Sequence, residues 1–220
     1  MKKDVNSLST EEKLESVIRD YDDIALEYCN EFCDIEVYNA VIDKWLQTIQ
    51  RGYILDVGCG GGNNCQYINN KDEFNAYGID FSEGMIKQAR KRYQNIKVEK
   101  MDMCNLSFPN QTFDGILSNR SLIHIPTELV SQVLKEFKRV LKYNGKLLLI
   151  VSDGSGEEMV EEPYREGQKI YVYIKHYTVD EISLVLKENG FKVDTVEKMK
   201  TISENGYTTG KIIIFATKES

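Results

Sequence analysis

The chain has 220 residues, 41% of them hydrophobic, and carries 28 lysines and arginines against 35 aspartates and glutamates, for a net charge of -7. A chain of this length can bury one substantial core, so one domain spanning 1–220 is the expectation. The acidic balance, with a pI near 5.1, argues against a nucleic-acid partner, and no stretch approaches the roughly 20 apolar residues of a membrane span.

The start, Met1-Lys2-Lys3-Asp4, runs into polar sequence without an apolar h-region, so no secretory signal and a cytoplasmic location are expected. Ser9 to Glu12 is a capping box, and Leu14, Val17, Ile18, Tyr21 and Ile24 then recur at helical spacing. A second helical pattern runs through Val37, Val41, Ile42, Trp45, Leu46 and Ile49 and should stop at Gly52. Residues 1–50 therefore read as a helical N-terminal cap. The five cysteines, at 29, 33, 59, 65 and 104, contain no C-x-x-C pair, and with only two histidines no metal site is expected. Free thiols in a reducing compartment are the simplest account.

From Tyr53 onward strand and helix patterns alternate. Tyr53–Val57 reads as a buried strand, followed by a helix around Asn64–Ile68. Asn75–Asp80 reads as a second strand, after which Ser82 caps a helix carrying Met85, Ile86, Ala89 and Tyr93. The basic cluster Lys87, Arg90, Lys91 and Arg92 on that helix is a solvated face. Ile96–Met101 and Phe113–Ser118 give two more strands, and a helix over Pro126–Leu141 follows. Asn144-Gly145 turns into a fifth strand, Lys146–Val151. The stretch Ser152–Tyr177 shows no regular element and is long enough to be a functional loop, a lid on the substrate side. Thr178 to Glu181 is another capping box, opening a helix that closes at Gly190. Phe191–Thr201 and Lys211–Thr217 are β-rich, and the Asn205-Gly206 pair between them is a hairpin signal. Such alternation predicts an α/β fold: a doubly wound, mostly parallel, seven-stranded sheet with a C-terminal antiparallel hairpin.

The sharpest signal is Ile54-Leu55-Asp56-Val57-Gly58-Cys59-Gly60-Gly61-Gly62 with Asp80 at the tip of the next strand. Glycines at 58, 60 and 62 let a ligand approach bare backbone at a helix N-terminus, and an acid about 20 residues on suits a ribose diol. The dinucleotide spacing G-x-G-x-x-G fails here, because Asn63 and Cys65 stand where its third glycine would fall. The spacing Asp-x-Gly-x-Gly-x-Gly instead resembles motif I of the class I S-adenosylmethionine-dependent methyltransferases. The likeness covers roughly Tyr21 to Val151 with specific motifs, in the small-molecule branch that holds ubiquinone-biosynthesis-like and tellurite-resistance-like members.

That resemblance implies a Rossmann-like fold and S-adenosylmethionine as cofactor, with S-adenosylhomocysteine as product. It implies that Asp56, Gly58, Cys59 and Gly60 hold the methionine part, Asp80 the ribose hydroxyls, and Phe81 and Met85 the adenine faces. Asp102 and the backbone of Met103 would read the adenine amino edge, with Ser118 at the fourth strand tip. Tyr21-Asp22-Asp23-Ile24-Ala25-Leu26-Glu27-Tyr28 resembles the family's aromatic cap over the cofactor, which adds Tyr21 to the cofactor set and Tyr28 to the substrate side. After the fourth strand there is no Asn-Pro-Pro-Tyr, Asp-Pro-Pro-Tyr or Pro-Cys sequence, so base and glutamine methylation are not expected. The implied partner is a small-molecule methyl acceptor, the implied assembly a monomer or homodimer.

Methyl transfer from a sulfonium is an in-line displacement that needs positioning and a dry site more than acid–base work. Where an acceptor arrives protonated, His124 is the candidate base, since its unperturbed pKa lies near neutrality. Arg120 suits an anionic substrate or a neighbouring acid. Tyr171 and Tyr173 are candidate substrate residues, although their alternation with Ile170, Val172 and Ile174 equally describes a plain strand. A nicotinamide-dependent oxidoreductase and a non-catalytic cofactor-binding protein are the competing readings.

Overall fold

The structure is a computed structural model that describes residues 4–32, 36–165, 168–202 and 208–219. The N-terminal capping box forms as its spacing requires: Ser9 N donates to Glu12 Oε2 at 2.8 Å and Glu12 N to Ser9 Oγ at 3.2 Å. It opens α1 (Thr10–Phe32), which buries Val17, Ile24, Ala25 and Cys29. The second helix, α2 (Asn39–Leu46), ends well before Gly52, which instead begins β1 (Gly52–Val57). Then follow α3 (Asn63–Asn69), β2 (Phe74–Asp80), α4 (Glu83–Arg92), β3 (Lys97–Lys100), β4 (Phe113–Asn119), α5 (Thr127–Val140) and β5 (Leu141–Asp153). The chain ends with β6 (Glu157–Arg165), β7 (Gln168–Tyr177), α6 (Val179–Glu188), β8 (Phe191–Ile202) and β9 (Thr208–Lys218).

Strands β3, β2, β1, β4 and β5 lie side by side and parallel. β9 runs antiparallel to β5, and β8 antiparallel to β9. The doubly wound, mostly parallel sheet with an antiparallel C-terminal pair is thus present. The Asn205-Gly206 turn falls outside the described residues. Alternate residues of the strands feed two cores, as period-two side-chain alternation requires. Leu55, Ile116, Leu149 and Ile214 pack with α5 and α6 on one face; Ile54, Leu117, Leu148 and Ile213 pack with α2, α3 and α4 on the other.

The sheet holds nine strands rather than the expected seven. The two extra strands come from 152–177, which is not irregular but a hairpin of β6 and β7. The alternation of Ile170, Val172 and Ile174 with Tyr171 and Tyr173 lies within β7, where both parities are buried: Ile170, Val172 and Tyr173 join Met159 in a small cluster under Val17 and Ile24 of α1. β7 pairs with the main sheet at Ser152–His176 and Asp153–Tyr177, parallel to the last residues of β5. At Ser152 the other edge of β5 is taken by Lys211 of β9. The hairpin therefore leaves on the edge that β4 occupies farther back, and it leans over the C-terminal end of β4. Ion pairs secure it, Lys13 Nζ to Glu157 at 2.7 Å from α1 and Lys175 Nζ to Glu181 at 2.7 Å from α6. A Ser152–His176–Glu158 chain, with both links at 2.9 Å, joins it to β5.

Candidate functional site

The glycine loop between β1 and α3 is a run of left-handed backbone: φ is 69° at Gly58, 52° at Gly60 and 81° at Gly62. L side chains rarely adopt these angles, which explains the alternate spacing. Gly58 N and Cys59 N both donate to Ile79 O, at 2.8 and 2.9 Å, tying the loop to the end of β2. Asp80 completes the clasp: Oδ2 accepts from Gly60 N at 2.8 Å and Oδ1 from Ser82 N at 2.9 Å. Burial raises the Asp80 carboxyl above the usual carboxylate range, opposed by these backbone bonds. A Cβ on Gly58 would lie 2.2 Å from Ser121 Cβ, whereas one on Gly60 would meet nothing within 4 Å. The backbone at Gly60 is thus bare toward open space.

That space is an open cleft at the C-terminal ends of the strands, about 710 Å³ with the solvent at its mouth included. Gly58, Gly60, Asp80, Phe81, Met85 and Met103 form its floor, and Leu14, Val17, Ile18, Tyr21 and Tyr28 of α1 its roof. Asn119, Arg120, Ser121, His124 and Ile125 close the β4 side. α1 is docked over the site by Asp22, whose Oδ1 accepts from Ser82 Oγ at 2.6 Å and Gly84 N at 2.8 Å at the start of α4. Gly84 permits this approach, because a Cβ there would lie 2.8 Å from Asp22 O.

Tyr21 and His124, 103 residues apart in sequence, meet here. The phenol oxygen of Tyr21 lies 3.0 Å from His124 Nε2, and the rings stand at 72° with centroids 5.1 Å apart. Tyr28 packs edge-on against Tyr21 at 5.6 Å. His124 Nδ1 is 2.9 Å from Tyr173 O. A carbonyl only accepts, so these partners assign the proton to Nδ1 and leave Nε2 to accept from Tyr21. Burial, with Arg120 adding to it, pulls the His124 pKa down to about 4, so the ring is neutral at pH 7.

Several expected site residues do not line the cleft. Asp56 lies fully buried behind the loop, accepting from Cys65 Sγ at 3.5 Å, and burial pushes its carboxyl up to about 7. Cys59 sits beside Cys65 against Gly78, where a Cβ would meet both sulfurs at 2.8 Å. Ser118 is buried and bonded to Ser121 Oγ at 2.8 Å. Asp102 turns its Oδ1 to Cys104 N at 2.6 Å, an Asx turn. Tyr173 is buried under α1 and reaches the site through its carbonyl alone, while the Tyr171 hydroxyl goes to Glu161 at 3.1 Å. Conversely, Asn119, Ser121, Leu14 and Ile18 line the cleft and Asp22 anchors the helix over it, which no sequence pattern singles out. Ser121 left no sequence signal: only the packed structure sets it against Gly58, where its Oγ also caps Val57 O at 2.6 Å.

Residues 54–145 match the family model described as a methyltransferase domain. The chain is 30% identical over 144 residues to the phosphoethanolamine N-methyltransferase of Plasmodium falciparum (isolate 3D7), covering 63% of this chain and 53% of that protein. It thus spans about half the length of that relative. Among solved structures, a methyltransferase of Methanosarcina mazei described as SAM-dependent superposes with a TM-score of 0.71 at 21% identity, covering 81% of this chain and 97% of the other. The 1,6-didemethyltoxoflavin-N1-methyltransferase of Burkholderia thailandensis, solved with 1,6-didemethyltoxoflavin and S-adenosylhomocysteine bound, gives a TM-score of 0.76 at 14% identity over 100% of this chain and 94% of the other. At such identities the structural likeness is one of fold.

Proposed function

We propose that this chain is built on a class I S-adenosylmethionine-dependent methyltransferase domain and transfers a methyl group from S-adenosylmethionine to a small-molecule acceptor. The observation that carries the reading is the cleft in which bare backbone at Gly60, the Asp80 carboxylate and the Tyr21–His124 pair face one space. When bound, the cofactor supplies an activated methyl group on a positively charged sulfur.

The cleft fits such a group. Each oxygen of Asp80 accepts one backbone N–H and keeps a lone pair for a ribose hydroxyl. Asn119 lines the cleft and, among the described residues, its buried Oδ1 has no partner, which suits the ammonium of a methionyl group. Phe81, Met85 and Met103 offer apolar surface for a purine. We assign Asp56, Cys59 and Ser118 to support of the glycine loop and the β4 tip instead, because each is buried behind it.

On the acceptor side, Tyr21 and Tyr28 present ring faces that favour a cation, and α1 with the β6–β7 hairpin keeps water out. If the acceptor carries a proton, the phenol oxygen of Tyr21 takes it as its own proton passes to neutral His124 Nε2; Tyr173 O holds the ring in the receptive tautomer. Tyr21 is thus the contacting group and His124 acts through it. The acidic surface and the absence of base-methylation motifs favour a small molecule over nucleic acid. Among the described residues no helix is long and apolar enough to cross a membrane. We further propose a monomer or homodimer in a reducing, cytoplasmic setting, in keeping with the buried free thiols of Cys29, Cys59, Cys65 and Cys104.

The decisive experiment is calorimetric titration with S-adenosylhomocysteine, followed by incubation of a metabolite extract with labelled methyl donor. Saturable binding and transfer of label to a small molecule are expected. Absence of binding, or a fluorescence response to nicotinamide cofactors instead, would overturn the proposal.

A further inference from the structure

Lys211 stands near the start of β9, in register with Ser152 of β5 on one side and Met199 of β8 on the other. Only 5% of its surface is exposed. Among the described residues no carboxylate pairs with its ammonium: Asp153, next along β5, is taken by Lys198 Nζ at 2.9 and 3.1 Å. Taking most of this side chain out of water disfavours its charged form, and burial together with the nearby Arg120 lowers the Lys211 pKa to about 8. Most of it still carries its proton at neutral pH.

Arg120 approaches from the opposite edge of β5. It leaves β4 in a left-handed turn, φ 58°, with its N–H donating to Ile150 O at 2.9 Å, and its side chain lines the rim of the cleft. Two strand spacings separate β4 from β9, roughly 10 Å, which two long cationic side chains span readily. The two-residue repeat sets Lys211 on the face of Ile213 and Phe215, and Asn119 on that of Leu117, both toward α2. Tyr38, at the N-terminus of α2, lies within the field of the same guanidinium, which counters the rise that burial imposes on its phenol. Lys211 and Tyr38 therefore each lie within electrostatic reach of the Arg120 guanidinium at the rim of the cleft. Among the described residues the buried cation finds no acid.

We propose that Arg120 and Lys211 form a subsite for an anionic head group on the methyl acceptor, a phosphate or carboxylate, with the Tyr38 hydroxyl as a further donor. The assignment rests on the methyltransferase reading for the word acceptor, but not for the anion itself. Arg120, exposed at the rim, draws the anion in, and Lys211, desolvated at the back, is neutralised by it. This restricts acceptors to molecules carrying a negative charge at one end and the methylated atom at the other.

The test titrates the S-adenosylhomocysteine-saturated protein with inorganic phosphate and, separately, with acetate, by calorimetry. Saturable phosphate binding is expected, weakened at least tenfold in Lys211→Met and in Arg120→Met and largely kept in Lys211→Arg. Methionine at 211 removes a buried charge without removing volume, so folding should survive; a thermal melt checks this, and phosphate should raise the melting temperature of wild type but not of Lys211→Met. Acetate matching phosphate at equal concentration assigns a carboxylate, and a clear preference for phosphate assigns a phosphoryl group. If S-adenosylhomocysteine binds while neither anion does, or if Lys211→Met binds them as wild type does, the subsite is refuted and the methyltransferase reading stands. If S-adenosylhomocysteine itself fails to bind, the latter falls on its own evidence.

Discussion

Replacing Gly60 with alanine separates the cofactor role of the loop from its structural role. Gly60 sits at φ 52°, and a Cβ there meets nothing within 4 Å, so the protein pays only for holding an L residue in the left-handed region. That costs about 1–2 kcal/mol, offset by about 0.4–1 kcal/mol from the stiffer unfolded chain. The net loss should be about 1 kcal/mol, or roughly 2–4 °C in melting temperature for a chain of this size. The Gly60 N–H to Asp80 bond survives, because it involves no side chain at 60. Gly58→Ala is the control. Its methyl would fall 2.2 Å from Ser121 Cβ, displacing the side chain whose Oγ holds Val57 O at 2.6 Å. Overpacking there should cost about 3 kcal/mol or more. Urea unfolding measures both, and calorimetry with S-adenosylhomocysteine measures binding. Gly60→Ala should fold nearly as well as wild type yet bind the ligand at least tenfold more weakly, a loss of about 1.4 kcal/mol or more. Wild-type affinity in a folded Gly60→Ala protein would refute the idea that the bare backbone at Gly60 is the ligand's seat.

Asp80→Asn keeps the side-chain shape but sets an amide N–H against Gly60 N or Ser82 N, and should weaken S-adenosylhomocysteine by about 2–4 kcal/mol; calorimetry giving equal affinities excludes the ribose role. His124, with a folded pKa near 4 below its ordinary 6.5, makes a contribution that is complete above pH 6.5 and is lost as pH falls from there toward 4, on the order of 2–3 kcal/mol. Urea unfolding at pH 7.5 and 4.5 should show a smaller pH difference in His124→Gln than in wild type. Asp56 works in the other sense: its folded pKa of about 7 lies above its ordinary 3.8, so its contribution is complete below pH 3.8 and is lost as pH rises through 7. Asp56→Asn should therefore gain on wild type between pH 5 and pH 8, by about 2 kcal/mol; an equal difference at both pH values disproves a buried, neutral carboxyl.

What the sequence determined on its own is whatever depends on a few neighbouring residues. The capping boxes at Ser9–Glu12 and Thr178–Glu181, the strand edges at Val57 and Asp80, and the glycines at 58, 60 and 62 are set by local spacing and by backbone angles that only certain residues accept. Asp80 was legible for the same reason, as an acid at the tip of a strand whose partner is the loop just before it. The tertiary structure decided which distant side chains meet. Asp22 became the anchor of α1, Ser121 the brace of Gly58, and His124 the partner of Tyr21 only because α1 crosses the strand tips. Asp56 and Asp102 stand at strand tips in the sequence, and only the packed structure sets the first behind the loop and turns one oxygen of the second to Cys104 N. Of the hairpin of 157–177 only the alternation at 170–174 was legible, because α1 covers the hairpin and both parities are buried, which leaves no polar face to mark the rest as strand. Lys211 shows the limit most clearly. Its letters predict a solvated lysine in a β-rich run, and only the arrangement of β4, β5 and β9 buries that charge beside Arg120. Burial and electrostatic coupling belong to the packed whole, since they depend on what surrounds a residue in space.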